Sequence, residues 1–146
     1  MPTGAKLVGA ILFFGIGWVA AMQAKLTFEE GTAATYFNIT IAMIGFFNGW
    51  MLVGKRAGEG IAFGAANGVR ASAQIAVLGL IIFALRTMFL RSANLRYSSI
   101  GEATTEAMDL LVQYSLQAMT VPIWTVLIVG GFVGGILTEL AAKVWR

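Results

Sequence analysis

Between Lys6 and Lys25 the chain reads LVGAILFFGIGWVAAMQA, a run of 18 residues without a charge. A helix rises 1.5 Å per residue and needs about 20 residues to cross the hydrocarbon core of a bilayer. Three more charge-free runs follow, at residues 31–54, 71–85 and 110–138. The sequence therefore predicts an all-α, polytopic membrane protein.

The four runs set the predicted organisation. We expect a single membrane domain over residues 1–146, with transmembrane helices at about 7–24, 33–54, 67–89 and 121–142. The third of these helices holds a charge-free run of only 15 residues, framed by Arg70 and Arg86. Long arginine side chains reach the interface from inside a helix end, so we expect these two to extend in opposite directions. Pro122 suits the first turn of the last helix, where a missing N–H costs least.

A cleaved signal peptide is the alternative interpretation of the first run. The triplet Val19-Ala20-Ala21 offers at best a weak cleavage site. We therefore expect this segment to be a membrane anchor.

Composition excludes several classes of protein. The chain has 146 residues, of which 58% are hydrophobic and 12% are charged, and its mean hydropathy is +0.81. Soluble domains carry about a quarter charged residues, so an ordinary soluble domain is excluded. There is no cysteine and no histidine, which excludes disulfides, thiolate nucleophiles, Cys/His zinc sites and histidine acid–base catalysis. We predict no catalytic, cofactor-binding or metal-binding residue and no enzymatic activity, and a net charge of +3 does not indicate a nucleic-acid partner.

Lysine and arginine in the short loops predict the orientation. With the N-terminus inside, six of these cations fall on the cytoplasmic side and four on the opposite side. The positive-inside rule then places both termini of this multi-pass protein in the cytoplasm.

An amphipathic helix is predicted over about residues 100–118. Ser99 and Glu102 have the spacing of a capping box at its start. Apolar residues recur on one face, and we expect the helix to lie at the membrane surface. Its polar stripe is either a solvated face or a contact for a partner or a cation; the stripe consists of Glu102, Glu106, Asp109, Gln113 and Gln117.

Small residues at four-residue spacing form the strongest pattern in the chain. Small residues let the backbones of membrane helices approach closely. This packing matters because lipid is as apolar as the helices and gives no hydrophobic drive for their association. We predict helix packing through the ridge glycines, which are Gly45, Gly49, Gly60, Gly64, Gly68, Gly130 and Gly134.

Polar residues at membrane depth are the candidates for a functional site. They are Asn38, Asn48, Asn67, Arg70, Gln74 and Glu139. Three of these, Asn67, Arg70 and Gln74, share one helical face, where Arg70 would attract an oxyanion. The alternative is that Arg70 extends to the interface and the amides bond between helices.

Several short motifs resemble the TrgA family. They are the N-terminal Met1-Pro2-Thr3, Gly49-Trp50, the loop Gly54-Lys55-Arg56-Ala57-Gly58, Asn67-Gly68, Arg96-Tyr97 and the final Trp145-Arg146. The family consists of small alphaproteobacterial inner-membrane proteins associated with tellurite resistance. The resemblance implies a similar role here, but reduction of tellurite would require thiols, so we expect any resistance effect to be indirect.

Two functions remain open. The first is a non-catalytic accessory or structural subunit of a larger membrane assembly, respiratory or photosynthetic, whose partners are the lipid bilayer and other membrane-protein subunits. The second is a homo-oligomeric transporter or channel for a small oxyanion. Four short spans in one copy leave little room for a pore, so transport would require an oligomer.

Overall fold

The computed structural model describes residues 3–28, 35–93 and 98–145. Every regular element among these residues is helical. The elements are α1 (Gly4–Lys25), α2 (Phe37–Asn48), a π-helical turn (Gly49–Val53), α3 (Ile61–Ala93), α4 (Ile100–Ala118) and α5 (Val121–Val144).

Three helices, α1, α3 and α5, are long and apolar enough to cross a membrane. They contain the predicted spans 7–24, 67–89 and 121–142. The predicted span 33–54 corresponds to a shorter apolar helix, Phe37–Val53, and its residues 33 and 34 lie outside the described residues. With α2 and the π-helical turn together, this helix is about 25 Å long, near the lower limit for crossing.

Close backbone contacts arrange the four apolar helices antiparallel. Along α1 and α2, a Cβ added at Gly45 would overlap the carbonyl oxygen of Phe13, and one at Gly49 would overlap that of Gly9. Along α3 and α5, Gly68 meets Gly131 in the same way. The sequence positions run in opposite directions in each pair, so successive apolar helices pass up and down one bundle.

Both described ends of the chain lie at the same end of the bundle. A Cβ at Gly4 would lie only 2.5 Å from Cε3 of Trp145. Gly54 belongs to this end as well, since it packs against Lys6. We call it the terminal end and the opposite one the hairpin end. The predicted side of the membrane for each end stays a prediction.

The hairpin end is built by α3 and α4. At 33 residues, α3 is about 50 Å long, some 20 Å longer than a hydrocarbon core. The predicted amphipathic helix has the predicted bounds, 100–118, and runs antiparallel to the last turns of α3. Leu110 and Tyr114 of α4 are buried against Phe83 and Ala84 of α3, and the hydroxyl of Tyr114 donates to Thr87. Its placement on a membrane surface stays a prediction.

Aromatic rings close the bundle where α3 and α4 meet α2. The Phe28 and Phe83 rings stack at 5.2 Å, and Phe37 meets both of them edge-on at 5.0 and 4.9 Å. Tyr114 joins Phe83 at 4.9 Å. Such pairs add about 0.5–1.5 kcal/mol each beyond the burial of their surface.

Candidate functional site

The predicted polar face on α3 is divided by the packing. Asn67 and Gln74 are half-buried, whereas Arg70 is exposed. Arg70 belongs to an outward stripe of α3 that also carries Ala66, Ala73 and Val77. The three polar residues therefore do not line an internal site in one copy of the chain.

Arg70 also lies deeper in its helix than the sequence indicated. The predicted span begins at Asn67, but α3 begins at Ile61, so Arg70 is the tenth residue of the helix. Gly68, two residues before it, packs on Gly131 near the middle of α5. A charge at the centre of a bilayer costs about 2.5–3.5 kcal/mol on insertion scales. Arg70 is thus an outward-facing cation close to mid-height of the bundle.

Glu139 forms the best-defined polar site. Its side chain lies in α5, is 1% exposed, and accepts two backbone hydrogen bonds from the loop before α3. Gly58 N donates to Oε2 at 2.8 Å and Gly60 N donates to Oε1 at 2.7 Å. A buried carboxylate is costly unless it is hydrogen-bonded, and N–H groups are the donors that satisfy it here.

The loop reaches Glu139 because of its glycines. Gly58 and Gly60 have φ values of +112° and +121°, a backbone conformation that residues other than glycine rarely adopt. With these backbone angles, both N–H groups point to the carboxylate of Glu139. We call residues 54–60 with Glu139 the glycine latch. The exposed Lys55 and Arg56 lie in this loop.

Gly60 differs from its predicted role in helix packing. It precedes α3, and an added Cβ there would meet nothing within 4 Å. Its function in the fold is conformational, through its positive φ and its bond to Glu139. The predicted ridge on α3 therefore starts at Gly64, whose Cβ would lie 2.9 Å from that of Glu139.

The other predicted ridge glycines lie at helix contacts. Gly64 and Gly68 face α5, and Gly45 and Gly49 face α1. Gly130 and Gly134 face side chains rather than backbone, since a Cβ at either would lie 3.0–3.2 Å from Ile16 of α1. These contacts bring α1, α2, α3 and α5 into close packing at the glycine positions.

The start of α4 carries a second polar group. The hydroxyl of Ser99 accepts from Glu102 N at 3.2 Å, as the capping-box spacing predicts. The backbone N–H of Ser98 lowers the pKa of Glu102 from its usual 4.5, and the hydroxyl of Ser98 adds to this effect. Arg91 of α3 pairs with Glu106 of α4; both are partly exposed, so the pair contributes little stability.

The polar groups described here do not converge on one reaction centre. Within residues 3–28, 35–93 and 98–145, no group of three or more Asp and Glu side chains is placed to hold a metal ion. The carboxylates of Glu139 and Glu102 are held by backbone N–H groups at opposite ends of the molecule. What the arrangement can do is fix helices and a loop in place.

Comparisons with known proteins add no further assignment. No protein-family model matches the chain, and no curated protein or solved structure matches it. Among the residues that the structure describes, it indicates a helical protein with three helices long and apolar enough to span a membrane.

Proposed function

We propose that this chain is a non-catalytic inner-membrane protein that crosses the bilayer four times and serves as an accessory or structural subunit of a larger assembly. The fourth crossing is Phe37–Val53. It is supported by the shared position of Gly4 and Trp145, because a chain that leaves and returns to one side crosses an even number of times. The resemblance to TrgA proteins suggests a respiratory or photosynthetic host, with any tellurite effect indirect.

One observation carries the proposal. Arg70 lies on the outward face of α3, near mid-height, among small apolar residues. Ionisable residues inside membranes usually face a protein interior or a cavity and pair there. A neighbouring subunit with an acceptor at this depth would supply that partner, and Ala66 and Ala73 leave room for its helix to approach.

The test is native electrophoresis of the tagged protein in a mild detergent, followed by mass spectrometry of what migrates with it. We expect the wild-type protein to migrate with subunits of a large complex. Arg70→Gln should reduce that fraction, whereas Lys55→Gln, a change at an exposed cation of the loop, should leave it unchanged. Migration of the wild-type chain as a monomer would contradict the proposal.

The same position of Arg70 favours one alternative, a homo-oligomeric transporter of a small oxyanion. Outward arginines from several copies would then line a path between the copies. This alternative predicts a small homo-oligomer on the native gel. It also predicts that Arg70→Gln preserves the oligomer but abolishes oxyanion uptake into vesicles.

A further inference from the structure

An apolar cavity of about 240 Å³ lies between the five α-helices, toward the hairpin end. Small residues are prominent in its lining, which includes Ala20, Ala21 and Ala24 of α1 and Ala76 and Gly79 of α3. Rings of the aromatic cluster form one wall. An apolar cavity of about 150 Å³ is known to stay dry and to bind benzene, so in proportion this one holds about ten carbon atoms.

The hydroxyl groups of the lining already donate hydrogen bonds, and the lining's other polar side-chain groups are the amide of Gln117 and the indole N–H of Trp124. Thr27 Oγ1 donates to the carbonyl of Ala24 at 2.7 Å, and Ser115 Oγ donates to that of Leu111 at 2.7 Å. The Tyr114 hydroxyl donates to Thr87. A bound water needs two to four polar partners, and a ligand with a buried carbonyl or hydroxyl needs at least one. Because apolar side chains make up most of the lining, it favours a hydrocarbon over a polar ligand.

The cavity opens sideways. Val77 of α3, Trp124 of α5 and Met119 before α5 belong to its lining and are 55%, 39% and 70% exposed. Val77 and Trp124 lie in helices long and apolar enough to cross a membrane. Trp124 lies in the first turn of α5, where an indole suits the interface. With α3 and α5 across a bilayer, this opening would face the acyl chains just below the headgroups.

We propose that this cavity binds one acyl chain of a membrane phospholipid from the leaflet at the hairpin end. The chain enters past Val77 and Trp124, and its distal carbons fill the space between the α1 alanines and Ala76. The headgroup stays outside, so the site selects for chain length. This goes beyond the role as a subunit, since a lipid fills the cavity whether or not a partner protein is bound.

The test uses Trp124 as the reporter. In a variant with Trp18, Trp50 and Trp145 changed to Phe, Trp124 is the single tryptophan. The purified protein in detergent is titrated with phosphatidylcholine that carries dibrominated stearoyl chains, at a low and fixed lipid-to-detergent ratio. We expect saturable quenching that approaches one lipid per protein. A single-tryptophan variant that retains Trp18, which is outside the cavity lining, should show only weak, unsaturated quenching.

Two variants that fill the cavity from different helices are used, so that misfolding of one does not decide the test. Ala76→Phe fills the cavity from α3 and Ala24→Leu fills it from α1, and each should abolish the saturable quenching. The control is Ala62→Phe, at an exposed position near the start of α3 and far from the cavity, which should retain it. Circular dichroism checks that each variant is helical.

Three results would overturn the proposal. The first is quenching of Trp124 that stays linear in lipid and equals that of Trp18. The second is saturable quenching that survives both filling variants. The third is displacement of the brominated lipid by a short-tailed benzoquinone, which would assign the cavity to a quinone.

Discussion

Glu139 is a single carboxylate that joins the last helix to the loop before α3. Its two oxygens take one backbone N–H each, from Gly58 and Gly60. The sequence presents it only as a lone acid in an apolar helix. Its partners are backbone groups of residues about 80 positions away, so no side-chain pattern identifies them.

Replacement of Glu139 by Gln should loosen this loop. The amide oxygen can accept one N–H, but the amide nitrogen is a donor and faces the other N–H, so we expect a loss of about 1.5–3 kcal/mol. Trypsin cleavage after Lys55 or Arg56 should accelerate, and the thermal unfolding midpoint in detergent should fall. Glu59→Gln, in the same loop and exposed, is the control. Equal cleavage rates in the two variants would rule out the latch.

Glu102 gives the start of α4 a pH dependence. Its pKa is below 4.5 in the folded chain, mainly because Ser98 N–H bonds the carboxylate. Because this pKa is lower in the folded chain than in the unfolded chain, the ionised Glu102 stabilises the fold at pH values above its unfolded-state pKa. This stabilisation is lost as the pH falls through its folded-state pKa. Carboxyl ¹³C NMR should show the lowered pKa, and Ser98→Ala should move it part of the way back. An unperturbed Glu102 would contradict the bond.

At the scale of helices, glycine contacts hold the bundle together. Gly68→Ala would place a Cβ against the carbonyl oxygen of Gly131. Backbone cannot yield as a flexible side chain does, so we expect α3 and α5 to separate slightly, at a cost of about 1–3 kcal/mol.

The matched control is Gly15→Ala. Gly15 is also helical, but nothing lies within 4 Å of its added Cβ, and alanine is the better helix former by about 1 kcal/mol. The midpoint temperature of thermal unfolding in detergent should thus fall for Gly68→Ala and stay level or rise for Gly15→Ala. Equal shifts would show that the cost is unrelated to packing.

Helix ends were more predictable from the sequence than helix lengths. Ser99 and Glu102 cap α4 as their spacing predicts, and Pro122 lies in the first turn of α5, because capping depends on neighbours in the chain. The lengths of the charge-free runs predicted the lengths of the helices less well. The run of 24 residues at 31–54 yields the short helix, and the run of 15 lies in the longest one, because Arg70 sits outward and Arg86 does not end the helix.

The tertiary site was beyond the reach of such patterns. Periodicity placed Asn67, Arg70 and Gln74 on one side of a helix, yet it gave no direction to that side relative to the bundle. The same limit hid the cavity: its alanines on α1 have ordinary helical spacing, and only the packing of the helices brings them to one cavity with Ala76.

The whole molecule makes a prediction about sidedness. The chain has no cysteine, so any introduced cysteine is the only thiol. Lys55→Cys and Lys143→Cys, both exposed and at the terminal end, should react with an impermeant maleimide only after cells are permeabilised. Asp109→Cys on α4 should react in intact spheroplasts. Labelling of Lys55→Cys and Asp109→Cys from one side would contradict four crossings.

The helix α3 is one long, uninterrupted rod. It is continuous over about 50 Å, and neither of the two prolines in the chain, Pro2 and Pro122, interrupts it. Near its start, α3 packs tightly on α5 through Gly64 and Gly68, beside the glycine latch. A tilt of about 5° there displaces the far end of the helix, roughly 40 Å away, by about 3–4 Å. A tilt of this size at the terminal end would therefore move the hairpin end of α3 by nearly the length of a side chain.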